Sequence, residues 1–257
     1  RMNTFRVLQF NMQFGQGWDE SDPDNAPVDL ERTIAEIRAQ QADLIFLQEV
    51  ERALPDGHQA QPPPNYTRLR AALAGHDGAF AYPRADEREL PFGIGLAIFS
   101  KTPITGVFQE DIASPPVHFD FFGEDKTPTD RVLLGARTVV GGREVALLNT
   151  HLLAFFMLKT NSEEHPEQRA QIERHLRAAE GPMIVCGDFN VRNHASLAAQ
   201  FRGAGFESTQ LDEITWRRMP FVLDHIFHNA ALRCERREVI PTAASDHHLL
   251  VADFSFA

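Results

Sequence analysis

The stretch "MIVCGDFNV" (183–191) decides how this chain is read. Met183, Ile184 and Val185 open an apolar run that looks like a buried strand. It ends in Gly187, an acid, an aromatic and an amide. A strand puts residues i and i+2 on one face, so Asp188 and Asn190 can point together while Phe189 turns into the core. Gly187 lets a neighbouring backbone approach closely. Taken alone, the same residues also describe a strand running into an ordinary turn.

Working outward, other apolar runs show the same ending. "VLQFN" closes at Asn11, "LIFLQEV" carries Glu49 and "ALLNTHL" carries His151. "LDHIF" begins with Asp224, and "SDHHLLVADF" with Asp246 and His247. Any one of these is an ordinary polar strand end. Six together, drawn only from Asp, Glu, Asn and His, point to one assembled site. Carboxylate and amide oxygens are hard ligands suited to Mg²⁺ or Mn²⁺. Histidine serves as a general base near neutral pH. A divalent ion, an Asp–His pair and polarising amides suit in-line displacement at phosphorus. The chain has no Gly-rich phosphate loop, no G-x-S-x-G elbow, no dinucleotide fingerprint and no H-E-x-x-H helix.

The inventory of elements favours mixed sheets. Strand-like runs outnumber helices, and several connections are too short for a helical crossover. Helices are expected in "DLERTIAEIRAQ" (29–40), "PEQRAQIERHLRAAEG" (166–181), "HASLAAQFRGAG" (194–205) and "TRLRAALAG" (67–75). Residues 54–65, 84–93 and 114–130 read as long loops. Strand-like runs resume on both sides of each, so one domain over 1–257 is expected, built as two stacked sheets with helices outside.

Composition narrows the function. At 257 residues, 43% hydrophobic and 24% charged, the chain reads as ordinary globular protein. Its formal charge is −11, the opposite of the basic surplus usual in nucleic-acid binders. Two cysteines are too few for a disulfide framework or a thiolate zinc site, and Cys186 reads as a core residue. Met2 reads as the natural start. With neither a signal peptide nor a transmembrane run in view, a cytoplasmic, monomeric protein is expected.

The motifs in their order, "FN" (10–11), "LQEVE" (47–51), "NTHL" (149–152), "GDFN" (187–190), "LDHIF" (223–227) and "SDHH" (245–248), resemble the endonuclease/exonuclease/phosphatase superfamily. The resemblance covers nearly the whole chain. It implies an α+β, four-layer fold of the deoxyribonuclease I-like kind, a two-sheet β-sandwich flanked by helices. It implies a catalytic Mg²⁺ or Mn²⁺ on Glu49 with Asn11 and Asp246 close by. It gives His247 the part of general base, oriented by Asp224. Asp188 and Asn190 position nucleophile and phosphate, and His151 hydrogen-bonds a phosphoryl oxygen. Arg131, in "TDRVLLGA", stands where some members contact phosphate; a surface arginine is the other reading. Of His247 and His248, an extended backbone turns only one to the site, and the family pattern selects His247.

Departures weigh against DNA repair. Gln13 stands where abasic-site endonucleases carry an acid, and Leu96 where many members have asparagine. Three functions remain: a metal-dependent phosphoesterase for a small molecule or lipid headgroup, a nuclease, or a binding module without catalysis. The acidic balance favours the first, and the full polar set argues against the last. The aromatics of "LLAFFMLK" (152–159) and "VHFDFFG" (117–123), and Trp18, read either as pocket lining or as packing.

Overall fold

The computed structural model describes residues 3–257. Fourteen strands and four α-helices are present among them. The first sheet contains β1 (Phe5–Asn11), β2 (Leu44–Arg52), β3 (Asp77–Ala81), β4 (Gly93–Ser100), β13 (Leu232–Ile240) and β14 (Leu249–Phe256), in the order β13-β14-β1-β2-β4-β3. The second contains β5 (Ile104–Ile112), β8 (Arg131–Val140), β9 (Arg143–His151), β10 (Met183–Asp188), β11 (Phe206–Ser208) and β12 (Asp224–Asn229), in the order β11-β12-β10-β9-β8-β5. Each sheet is antiparallel except for one central parallel pair, β1 with β2 and β9 with β10. The sheets are therefore mixed, as the short connections require.

Strand periodicity explains how the layers assemble. In β10 every residue is buried. Ile184 and Cys186 face inward and join Phe46, Leu96, Leu147 and Leu250 between the sheets. Met183 and Val185 face outward, onto the layer of α3 (Glu167–Arg177) and α4 (His194–Arg202), with Ile172, Leu176 and Phe201. On the far side, α1 (Leu30–Ala39) and α2 (Pro64–Ala72) cover the first sheet through Ile34, Ile37 and Leu69, against Leu8, Phe10 and Leu47. Each such side chain contributes about 1.5–3 kcal/mol when fully buried. The result is a four-layer α/β/β/α sandwich.

The helices depart from their expected bounds in ways local chemistry explains. Asp29 caps α1 by accepting the Arg32 N–H at 3.1 Å. α2 starts earlier than expected, at Pro64, because proline suits the first helical turn. α3 stops at Arg177, ahead of Gly181. The segment 114–130 is not wholly a loop. It holds a hairpin, β6 (Phe119–Phe121) with β7 (Glu124–Lys126). No helix among the described residues is long and apolar enough to cross a membrane.

Candidate active site

Sheet register brings the polar strand ends together. Asn11 ends β1, Glu49 lies near the end of β2, His151 ends β9 and Asp188 ends β10. In both parallel pairs the strands run the same way, so all four residues emerge at one end of the sandwich. Asp188 is paired across the ladder with His151 on one side and Asp224 on the other. Antiparallel β14 starts beside the end of β1, which carries the preceding loop, Ser245 to His248, to the same place. The Ser245 hydroxyl fixes that loop by donating to Asn11 O at 2.7 Å and accepting from His247 N at 3.1 Å.

The centre is an imidazole between carboxylates. His247 Nδ1 lies 2.7 Å from Asp224 Oδ2. Its Nε2 faces Asp188 Oδ2 at 3.6 Å and Asp246 Oδ1 at 3.8 Å. His151 Nε2 approaches the same Asp188 oxygen at 3.4 Å. His248 faces away and accepts from Thr242 N at 3.3 Å.

Asp188 and Asn190 do reach one site, but by a turn and not by strand alternation. β10 stops at Asp188. Asn190 takes a left-handed backbone (φ 51°) and its N–H returns to Asp188 Oδ1 at 3.1 Å. Asparagine tolerates this conformation better than most residues. Its side-chain amide donates to Leu152 O at 2.8 Å. Phe189 is turned into the outer core against Phe201 and Phe227. A Cβ on Gly187 would strike the backbone of Thr150 on β9, so the parallel pair needs glycine there.

Glu49 is aimed by a local irregularity. β2 slips register against β4 between Gln48 and Glu51, and Glu49 itself has φ 49°. Such bulges re-aim side chains. Gly93 on the neighbouring strand β4 leaves the room: a Cβ there would fall on the Glu49 side chain. The Asn11 amide donates to Glu49 Oε2 at 2.5 Å and Asp188 Oδ2 at 2.9 Å, while its oxygen accepts from Gln13 N at 3.1 Å. In this orientation Asn11 braces two carboxylates.

Charge in this pocket is poorly balanced by the protein. Burial, reinforced by Asp246, pushes the Glu49 carboxyl up to about 7. Burial and Asp224 raise Asp188 well above its usual range. Burial pushes the His247 imidazole down, but Asp224 and Asp188 outweigh it and hold its pKa well above the ordinary value. His151 goes the other way, to about 3, through burial and then the charges of Arg131 and His247. Asp246 Oδ2 takes Trp216 Nε1 at 3.3 Å and Arg218 Nε at 2.8 Å, whereas its buried Oδ1 has no hydrogen-bond partner among the described residues. Crowded carboxylates with an orphaned oxygen are what a hard divalent cation would satisfy. Oxygen and nitrogen atoms of Glu49, His151 and Asp188 lie within 4.8 Å of one another. Those of Asp188, Asp224 and His247 do as well.

Arg131 is committed elsewhere than expected. It is largely buried and paired with Glu89 at 2.9 Å, so its charge reaches the site mainly as a field on His151. Residues that sequence reasoning passed over also shape the site. Gln13 Oε1 accepts the Asp246 N–H at 3.1 Å. Thr215 Oγ1 accepts from Asp224 N at 3.2 Å, and Arg218 spans Asp246 and Asp24. Nothing in the local pattern marks Thr215 or Arg218. The amide at Gln13, replacing an acid, was the one visible hint.

The model of the Endonuclease/Exonuclease/phosphatase family matches residues 8–247, a span that runs from β1 to His247. The chain belongs to this family. Its members are generally phosphoester hydrolases, among them phosphatases and nucleases. Over its full length the chain is similar in structure to an endonuclease/exonuclease/phosphatase from Beutenbergia cavernae, with a TM-score of 0.71, 21% identity and 72% of that chain covered. It is likewise similar to the human Nocturnin catalytic domain, with a TM-score of 0.65, 22% identity and 96% of that domain covered. These likenesses show the deoxyribonuclease I-like fold. Among curated sequences, a UPF0294 protein of Vibrio campbellii is 28% identical over 121 residues, 44% of this chain. That match spans only 41% of the relative's length.

Proposed function

We propose that this family member is a divalent-metal-dependent phosphoester hydrolase acting on a small-molecule or lipid-headgroup phosphoester. The observation that carries the reading is the buried His247–Asp224 pair, 2.7 Å apart, with the free imidazole nitrogen turned toward Asp188. Asp224 accepts the Nδ1 proton and so fixes the tautomer that leaves Nε2 to take a proton. An attacking water held near Asp188 gives that proton to His247 Nε2. His151 is kept neutral by its low pKa, and its N–H donates to a phosphoryl oxygen as negative charge grows there. Asn11 holds the Glu49 and Asp188 carboxylates in place.

Mg²⁺ or Mn²⁺ would be held by Glu49 and Asp188, with the orphaned oxygen of Asp246 beside the same imidazole. When bound it would polarise a phosphoryl oxygen and offset the carboxylates that otherwise keep His247 protonated. The acidic balance of the chain, −11 overall, supports a compact substrate over a nucleic acid.

The testing experiment is an activity panel with Mg²⁺, with Mn²⁺ and with EDTA. It would span p-nitrophenyl phosphate, bis-p-nitrophenyl phosphate, inositol phosphates, sphingomyelin, RNA and plasmid DNA. Metal-dependent turnover of a compact ester is expected. Undiminished turnover in EDTA, or none on any phosphoester, overturns the reading.

A further inference from the structure

A cavity of about 660 Å³ opens beside Asn190, the residue that ends the catalytic turn. One wall is the short 3-10 turn Phe155–Leu158 and the segment after it. The other is Asn190 to Asn193. The volume is that of a small-ligand site. It also adjoins the chemistry through packed rings. Phe156 lies 5.7 Å from Trp216, whose ring is 6.2 Å from the His247 ring. Two packed rings, Phe156 and Trp216, connect whatever occupies the cavity to the general base.

The lining carries both signs of charge. Lys159 and Arg192 supply donors, and among the described residues neither has a carboxylate within 4.0 Å. Arg192 sits 5.4 Å over the Phe221 ring, which orients its guanidinium without consuming its N–H groups. Glu163 and Glu164 line the same space. Glu163 is paired with Arg169 at 3.3 Å. Among the described residues Glu164 has no cationic partner, and its carboxylate takes only the Thr160 hydroxyl at 2.9 Å. Asn161 and Ser162 complete a wall of amide and hydroxyl groups.

This mixture selects a chemistry. A hydrocarbon tail needs apolar walls, and here the rings of Phe155 and Phe156 are outnumbered by polar groups. A second phosphate needs cations alone, and two carboxylates would repel it. A hydroxyl both donates and accepts, so it is satisfied where a carboxylate and cationic N–H groups line one space, with an aromatic face for the C–H side of the ring.

We propose that this cavity seats a polyhydroxylated group carried by the phosphoester, a sugar or cyclitol, with Glu164 accepting hydroxyl protons and Arg192 and Lys159 donating to hydroxyl oxygens. The proposal rests on the phosphoester hydrolase reading and names its substrate class.

The test compares inositol 1-phosphate and glucose 6-phosphate with p-nitrophenyl phosphate, and glycerophosphoinositol with bis-p-nitrophenyl phosphate. The polyol ester of either pair is expected to show the higher kcat/KM, the difference lying mainly in KM. Arg192→Ala and Glu164→Gln should each lower the ratio of polyol to nitrophenyl kcat/KM about five- to tenfold, the size of one lost hydrogen bond to a charged group. Phosphatidylinositol in detergent micelles separates a lipid-borne cyclitol from a free one; a higher rate than on bis-p-nitrophenyl phosphate supports the same seat. Calorimetric binding of inositol 1-phosphate to His247→Gln protein with Mn²⁺ gives a readout independent of turnover, and it should weaken in the Arg192→Ala background. No preference for any polyol ester, or a ratio that neither variant moves, overturns the proposal. If nothing is hydrolysed, the hydrolase reading fails, and the binding measurement alone decides the cavity's occupant.

Discussion

The side chain of Glu49, in the bulge of β2, lies over Gly93 of β4 so closely that a methyl group on the glycine would occupy the space of the glutamate side chain. Glu49 therefore holds its left-handed bulge only because its neighbour has no side chain. Gly93→Ala should displace the carboxylate from the site while the apolar layers hold the fold. The apparent affinity for Mn²⁺ should fall about 10–100-fold, the usual cost of disturbing what orients a ligand. Calorimetric titration of Mn²⁺ into the variant checks this. An affinity equal to wild type shows that Glu49 does not hold the ion.

The pair at the centre makes a second expectation. His247→Ala and Asp224→Asn should each lower kcat by about 10²–10⁴-fold, with unfolding transitions still cooperative. His248→Ala serves as the control and should stay near wild type, because His248 turns away to Thr242. Steady-state rates on p-nitrophenyl phosphate, with saturating Mg²⁺, decide it. A His247→Ala enzyme at wild-type rate removes the assigned base.

A third expectation concerns pH and stability. His225 is buried among Phe189 and Phe227, with Nδ1 on Ser208 Oγ at 2.8 Å, and burial pushes its pKa down to about 3. Above pH ~6.5 the imidazole is neutral in both folded and unfolded chains and adds no pH dependence. Between about 6.5 and about 3 the unfolded chain binds a proton that the folded core refuses. Stability therefore falls as pH falls through that window, by at most about 5 kcal/mol from this residue. Urea unfolding from pH 7 to pH 4 should show a steeper loss in wild type than in His225→Gln. Parallel curves would remove His225 as the cause.

The fourth concerns salt. The chain has 36 acidic against 25 basic residues, and the proposed compact substrate needs few phosphate contacts. KM for a compact phosphoester should change less than about threefold between 50 and 200 mM NaCl, whereas a protein making many phosphate contacts loses ~10³–10⁵ in affinity over that range. Efficient plasmid nicking that collapses with salt, alongside weak turnover of every small ester, would promote the nuclease reading.

The residues that meet at the sheet ends were visible one by one, because polar endings on apolar runs need no tertiary information. The layered fold was visible for a similar reason, since strand and helix periodicities differ. What escaped depends on long-range register. The bulge at Glu49 arises from how β2 meets β4, not from the composition of "LIFLQEV". Asn190 looked like the next outward position of a strand, but its positive φ belongs to a turn. Arg131 finds Glu89 from a loop 42 residues earlier, and Arg218 bridges to Asp24 from 194 residues away. No local pattern encodes such partners. The 119–126 hairpin was missed because its strands are three residues each, too short to show alternation.

The placement of β1 between β2 and β14 sets an order of events during synthesis. A ribosome makes β1 well before β14. Until residues 249–256 emerge, one edge of β1 has backbone N–H and C=O groups with no ladder to join. That open edge is a template for pairing with another nascent chain. Asn11 and His247, brought together by the same late pairing, cannot meet before then. Aggregation risk and the absence of a formed site therefore end in one step, when β14 docks.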